Sequence, residues 1–95
     1  MEFANQNILI TGAADGLGLA VSKAFSKKKA NLFLIDVNYK KLIQNNISNS
    51  NNIECDLSNI NSVKNLINKF KIENIFIDIL IHNAAVLVPK SFEET

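Results

Sequence analysis

The chain has 95 residues, 47% hydrophobic and 20% charged, with ten basic and nine acidic side chains and a net charge of +1. This bounds it to one small domain or part of one, with a globular rather than a disordered composition. The near-neutral balance leaves no electrostatic footprint for nucleic acid. No apolar run approaches the length of a membrane span, and the first residues, Met1 to Asn5, lack the basic and apolar regions of a secretory signal. With Cys55 as the single cysteine no internal disulfide is available, so a cytoplasmic location is expected and Cys55 reads as a small buried residue.

In chain order, the apolar run Ile8-Leu9-Ile10 predicts a strand over Asn7 to Thr11. A glycine-rich turn follows, then a helix from Gly16 to about Lys29, with Leu17, Ala20, Val21, Ala24 and Phe25 on one apolar face. Lys27, Lys28 and Lys29 fall in its last turn, where cations suit the helix dipole. Asn31 to Asp36 reads as a second strand and Tyr39 to Gln44 as a short helix. The Asn- and Ser-rich stretch from Asn45 to Asn52 reads as a surface loop. A third strand is expected over Asn52 to Cys55. A helix capped by Ser58 or Asn59 follows, with Ile60, Val63, Leu66, Ile67 and Phe70 at helical spacing. Ile77 to His82 reads as a fourth strand, apolar on both faces and so suited to the inside of a helix-covered parallel sheet. Pro89 marks a loop beyond it. Four strands alternating with three helices imply βαβ units with right-handed crossovers, hence an α/β, doubly wound parallel sheet.

The chain holds three glycines, and all of them lie in Thr11-Gly12-Ala13-Ala14-Asp15-Gly16-Leu17-Gly18. Elsewhere turns rely on Asn, which tolerates the left-handed region. Glycine is therefore reserved for close approach, either of backbone to a ligand or of helix to strand. A strand, a glycine turn and a helix together aim free N–H groups at a phosphate. No Lys follows Gly16 or Gly18, which argues against a nucleotide triphosphate loop of the Walker type. A glycine turn with no ligand is the alternative. Three further groups fall at C-terminal strand ends, where ligands bind in open α/β sheets. Asp36, eighteen residues after Gly18, can accept from ribose hydroxyls and repel a 2′-phosphate, or simply open the next turn. No basic residue occupies positions 13 to 15 or 37 to 38, which favours NAD over NADP. Asp56-Leu57-Ser58 precedes a helix and can also serve as a cap. His82-Asn83-Ala84-Ala85 closes the fourth strand, and His82 reads as a packed, hydrogen-bonded residue or as a general base.

The spacing G-x-x-x-G-x-G after a strand resembles the main branch of the short-chain dehydrogenase/reductase family, which carries T-G-x-x-x-G-x-G there. The resemblance runs from Thr11 to Ala85. It implies a Rossmann-like sheet of strand order 3-2-1-4, with residues 1–95 as the N-terminal, dinucleotide-binding part of one domain. It implies an adenine contact at Asp56 and Leu57, and a cofactor role for Asn83 and Ala84, where the family has Asn-Asn-Ala-Gly. His82 and Ala85 depart from that pattern, and Asp78 is read as structural. The implied cofactor site is Gly12, Asp15, Gly16, Leu17, Gly18, Asp36, Asp56, Leu57, Asn83 and Ala84, with no metal. The implied reaction is hydride transfer between NAD and an alcohol/carbonyl pair. The family's catalytic Ser and Tyr-x-x-x-Lys are expected beyond Thr95: the only tyrosine, Tyr39, is followed four residues later by Ile43. No catalytic residue is therefore assigned. A non-catalytic nucleotide-binding or interaction module, or an inactive gene fragment, is the competing reading. The bare edge of a truncated sheet is a route to self-association, and a full-length enzyme is expected to be a homo-oligomer.

Overall fold

A computed structural model describes residues 3–83. They run β1 (Asn7–Thr11), α1 (Gly16–Lys27), β2 (Asn31–Asp36), α2 (Tyr39–Asn45), β3 (Ser50–Glu54), α3 (Ile60–Ile72) and β4 (Ile79–His82). The strands form one parallel sheet of order β3-β2-β1-β4, the α/β topology expected from the sequence. Ala84, Ala85 and Pro89 lie outside the described residues.

Alternation along the central strands divides the core. Ile8, Ile10, Leu32 and Leu34 point to one face, where they pack with Leu42 of α2 and with Val21 and Phe25 of α1. Leu9 and Ile35 point to the other, beneath Leu66 and Phe70 of α3, with Cys55 buried beside them. Side chains on successive strand residues leave on opposite faces, so a strand covered on both sides must be apolar throughout. β2 meets this condition, with Leu32, Phe33, Leu34 and Ile35 all buried. Phe33 meets Phe70 edge-on, with ring centroids 5.3 Å apart.

β4 differs from its sequence reading. It begins at Ile79 rather than Ile77 and forms an edge of the described sheet, with Leu80 60% exposed. Asp78 starts its pairing with β1: its N–H donates to the Asn7 carbonyl (2.8 Å) and its carboxylate accepts the Asn7 N–H (2.8 Å). This is the structural role read for it.

The α1 face is also rotated from the expected one. Leu17, Ala20 and Ala24 are exposed, and the inward stripe is Gly18, Val21, Ser22 and Phe25. The reason is Gly18, whose bare Cα brings that side of the helix onto the Gly12 carbonyl. α3 shows the same thinning of its stripe: Val63, Leu66 and Phe70 turn inward while Ile60 and Ile67 are exposed.

β3 starts at Ser50, so the polar stretch read as loop up to Asn52 is partly strand. Backbone pairing carries it, with Ser50 opposite Leu32 and Glu54 opposite Asp36. Of the asparagines expected at turns, namely Asn31, Asn38, Asn45, Asn46, Asn51, Asn52 and Asn74, only Asn46 and Asn74 are left-handed; Asn5, Asn49 and Lys29 (φ 65°) are left-handed as well.

Candidate functional site

The strand order reverses at β1, with β2 on one side and β4 on the other. In such sheets the crevice beyond the strands' C-terminal ends is where ligands sit. Thr11 and Ile35 are register partners there, as are Thr11 and His82. The glycine turn leaves β1 at this point.

The three glycines have separate jobs. Gly12 and Gly16 both take left-handed backbone, φ 64° and 58°. A Cβ on Gly16 would meet nothing within 4 Å, so its face is open. A Cβ on Gly18 would overlap the Gly12 carbonyl oxygen and stand 2.9 Å from Asn83 Nδ2. Gly18 is thus the close-packing glycine, and Gly16 the one with room beside it.

Asp15 stands at the N-cap of α1 in extended backbone, but its side chain makes no capping bond. It pairs instead with Lys41 of α2, Oδ1 to Nζ 3.4 Å, both side chains being half-exposed. The Leu19 N–H makes the bond to the Asp15 carbonyl, 3.2 Å. The N–H groups of Gly16, Leu17 and Gly18, at the very start of the helix, are those that a helix leaves without intrahelical acceptors.

Asp36 closes β2, and both of its oxygens accept backbone N–H groups. Oδ2 takes Ala14 N–H and Oδ1 takes Asn38 N–H, each at 3.0 Å. The carboxylate therefore ties the glycine turn to the start of α2 while keeping acceptor capacity for hydroxyls, since an ionised carboxylate has about four lone-pair sites.

Asp56 is not the cap of α3. That role belongs to Asn59, whose Oδ1 accepts from Asn61 N–H (2.9 Å) and Ser62 N–H (3.3 Å). Asp56 Oδ1 instead accepts the Ser58 hydroxyl (2.6 Å) and the Ser58 N–H (3.0 Å). These two bonds, the hydroxyl first, hold the carboxyl below its ordinary range, so it is charged at neutral pH. Gly12, Asp36, Asp56 and Leu57 line one cleft of about 310 Å³, together with Val37 and Ser58.

Asn83 lies one strand over. Its N–H donates to Thr11 Oγ1 (2.8 Å), and its Nδ2 reaches the Gly12 carbonyl at 3.4 Å. It holds the glycine turn against β4. Thr11 Oγ1 also pairs with His82 Nδ1 at 2.9 Å, so His82 is engaged in the joint between β1 and β4, although it is exposed rather than packed. Leu17 is 69% exposed at the head of α1, and Ala84 lies outside the described residues.

Sequence reading missed Lys41 and Asn45. Both reach the turn from α2, across 26 and 31 residues of chain, and neither belongs to a local pattern. Among the described residues no three His, Cys, Asp or Glu side chains are grouped to hold a metal. No described helix is long and apolar enough to cross a membrane.

Known proteins share this sequence pattern and fold. The family model described as short chain dehydrogenase matches residues 6–95. The chain is 33% identical over 94 residues to the chloroplastic protochlorophyllide reductase of Pisum sativum, covering 92% of this chain and 24% of that protein. It is 35% identical over 89 residues to the 3-oxoacyl-[acyl-carrier-protein] reductase FabG of Rickettsia typhi, covering 90% of this chain and 35% of that one. Among solved structures, 4-hydroxyisoleucine dehydrogenase complexed with NADH superposes with a TM-score of 0.73 at 32% identity, over 80% of this chain and 32% of that one. The chain thus spans about a quarter to a third of the length of these relatives. With the family model matching residues 6–95 and the sheet order in place, the chain belongs to the short-chain dehydrogenase family, of whose Rossmann fold it carries the nucleotide-binding part.

Proposed function

We propose that this chain holds the adenosine diphosphate half of NAD, as the cofactor-binding portion of an oxidoreductase that interconverts an alcohol and a carbonyl compound. The observation that carries the reading is the convergence of three features at the C-terminal ends of the strands. These are the open glycine face at the head of α1, the Asp36 carboxylate, and the Asp56-Leu57 wall of the cleft. The relative complexed with NADH supports it.

The residues fit the cofactor. A pyrophosphate suits the N-terminus of α1, where free N–H groups and the positive end of the helix dipole coincide. Gly16 leaves space for it, since a Cβ there meets nothing within 4 Å. Asp36 accepts the adenosine ribose hydroxyls with the lone pairs that Ala14 and Asn38 leave over. Asp56 and Leu57 receive the adenine, and Asn83 and Ala84 border the ribose of the far half. The nicotinamide, when bound, supplies or accepts the hydride.

NAD is preferred over NADP because a 2′-phosphate would be forced against Asp36. Lys41 reaches the glycine turn from α2, and its charge is matched by Asp15. Each 1.4 kcal/mol or so of repulsion is about tenfold in the preference. In calorimetric titrations, Asp36→Ala is expected to narrow the NAD/NADP ratio, and a basic residue at Val37 to narrow it further. A native protein that binds NADP more tightly than NAD would refute the assignment of Asp36. Gly16→Val tests the phosphate face in the same assay. Its strained backbone costs roughly 1–2 kcal/mol of stability, and the added bulk should weaken NAD by more than that. Unchanged NAD affinity in Gly16→Val would remove the phosphate from this turn.

A cytoplasmic location suits the buried, free thiol of Cys55. The 95-residue chain is further proposed to self-associate along β4. There, Leu80 and Ile67 line an apolar groove of about 680 Å³ between α3 and the sheet.

A further inference from the structure

The glycine turn is gripped from α2. Asn45, the last residue of α2, donates Nδ2 to the Ala14 carbonyl at 2.9 Å. A carbonyl only accepts, so the carboxamide nitrogen must be the group that faces it. The other side of Ala14 is committed too, its N–H going to Asp36 Oδ2 at 3.0 Å. Ala13 N–H is donated to the Ile35 carbonyl at 3.2 Å. Both alanines are fully or almost fully buried.

α2 itself does not float. Leu42 is buried in the core, and the cap of the helix, Asn38, donates its N–H to Asp36 Oδ1 at 3.0 Å. A closed circuit results. Asp36 joins Ala14 to Asn38, α2 runs from Asn38 to Asn45, and Asn45 returns to Ala14. Asp15 and the head of α1 come directly after the gripped residue.

We infer that Asn45 is a positioning residue for the cofactor diphosphate, acting through Ala14 to hold the N–H groups at the start of α1 in register with the Asp36 carboxylate. This rests on the dinucleotide reading above and extends it to a residue on a different helix, which reaches the turn through the Ala14 carbonyl. Without Asn45 the Ala14 carbonyl is left buried and unpaired, and the turn gains freedom to move toward water.

The test compares ADP with adenosine by calorimetric titration of the full 95-residue chain. Asn45→Ala is expected to weaken ADP roughly tenfold, which corresponds to about 1.4 kcal/mol. Adenosine, which lacks the diphosphate, should stay within about twofold. Hydrogen exchange of the Ala14 amide should accelerate by a similar factor. Asn45→Gln, which keeps a donor, should recover much of the ADP affinity, and Asn45→Leu, which has the size of Asn and no donor, replaces the alanine variant if that one does not fold. Equal losses for ADP and adenosine, or unchanged exchange at Ala14, would overturn the assignment. If the native chain binds neither probe, the dinucleotide reading fails, while exchange at Ala14 still decides whether Asn45 grips the turn.

Discussion

Gly18→Ala is expected to destabilise the chain by about 2–3 kcal/mol, at the upper end of what overpacking a tight contact costs. The new methyl group would overlap the Gly12 carbonyl oxygen, and it would stand 2.8 Å from the Gly12 carbonyl carbon. The obstacle is backbone, so no rotamer change relieves it. The turn cannot retreat freely either, because Ala13 N–H is bonded to Ile35 O and Asn83 closes over the Gly12 carbonyl. Alanine's higher helix propensity returns only about 1 kcal/mol of this. Urea unfolding of the two single variants decides the matter. Gly16→Ala, with nothing within 4 Å of its Cβ, pays only for its left-handed backbone. If the two variants unfold at the same midpoint, the close approach at Gly18 is not what seats α1.

The 95-residue polypeptide by itself is expected to show no NAD-dependent turnover on any panel of alcohols and ketones. It contains no Tyr-x-x-x-Lys pair to move the proton, and general acid–base catalysis is typically worth about 10²–10⁴-fold. Turnover also requires walls that orient a nicotinamide, which act through proximity. Initial-rate assays at saturating NAD test this, and turnover above the buffer rate would show that chemistry resides in these residues. The same sample is expected to self-associate. Among the described residues β4 has no strand along its outer side, Leu80 is 60% exposed, and the groove beneath α3 is apolar. Light scattering that finds a monomer, together with cooperative unfolding and tight stoichiometric NAD binding, would favour a self-contained binding module instead.

Much of the architecture was legible in the sequence because it is written in local patterns. β1 and β2 fall on their expected residues, since a short apolar run bounded by Gly, Asn or Asp has few other solutions. The lining of the cleft was legible for a related reason: in a parallel α/β fold the ends of strands converge, so Gly12, Asp36 and Asp56 share a cleft without being near in sequence. Periodicity alone did not determine which way α1 faces. It offered Leu17, Ala20, Val21, Ala24 and Phe25; Val21 and Phe25 do face the core, but the contact between Gly18 and the Gly12 carbonyl puts Gly18 and Ser22 beside them and leaves Leu17, Ala20 and Ala24 exposed. The start of β3 was likewise decided outside its own residues, because Ser50 and Asn51 are poor strand formers held by the ladder to β2. The sequence by itself thus determined the strand order's raw material, the glycine spacing and the acidic residues at the strand ends. Only the tertiary structure decided that Asp36 is shared between Ala14 and Asn38, that Asn59 rather than Ser58 caps α3, and that α2 reaches back to the turn through Lys41 and Asn45. The contacts of Asp36 with Ala14, Lys41 with Asp15 and Asn45 with Ala14 join residues 22 to 31 positions apart, a distance over which no local preference acts and only packing sets the geometry.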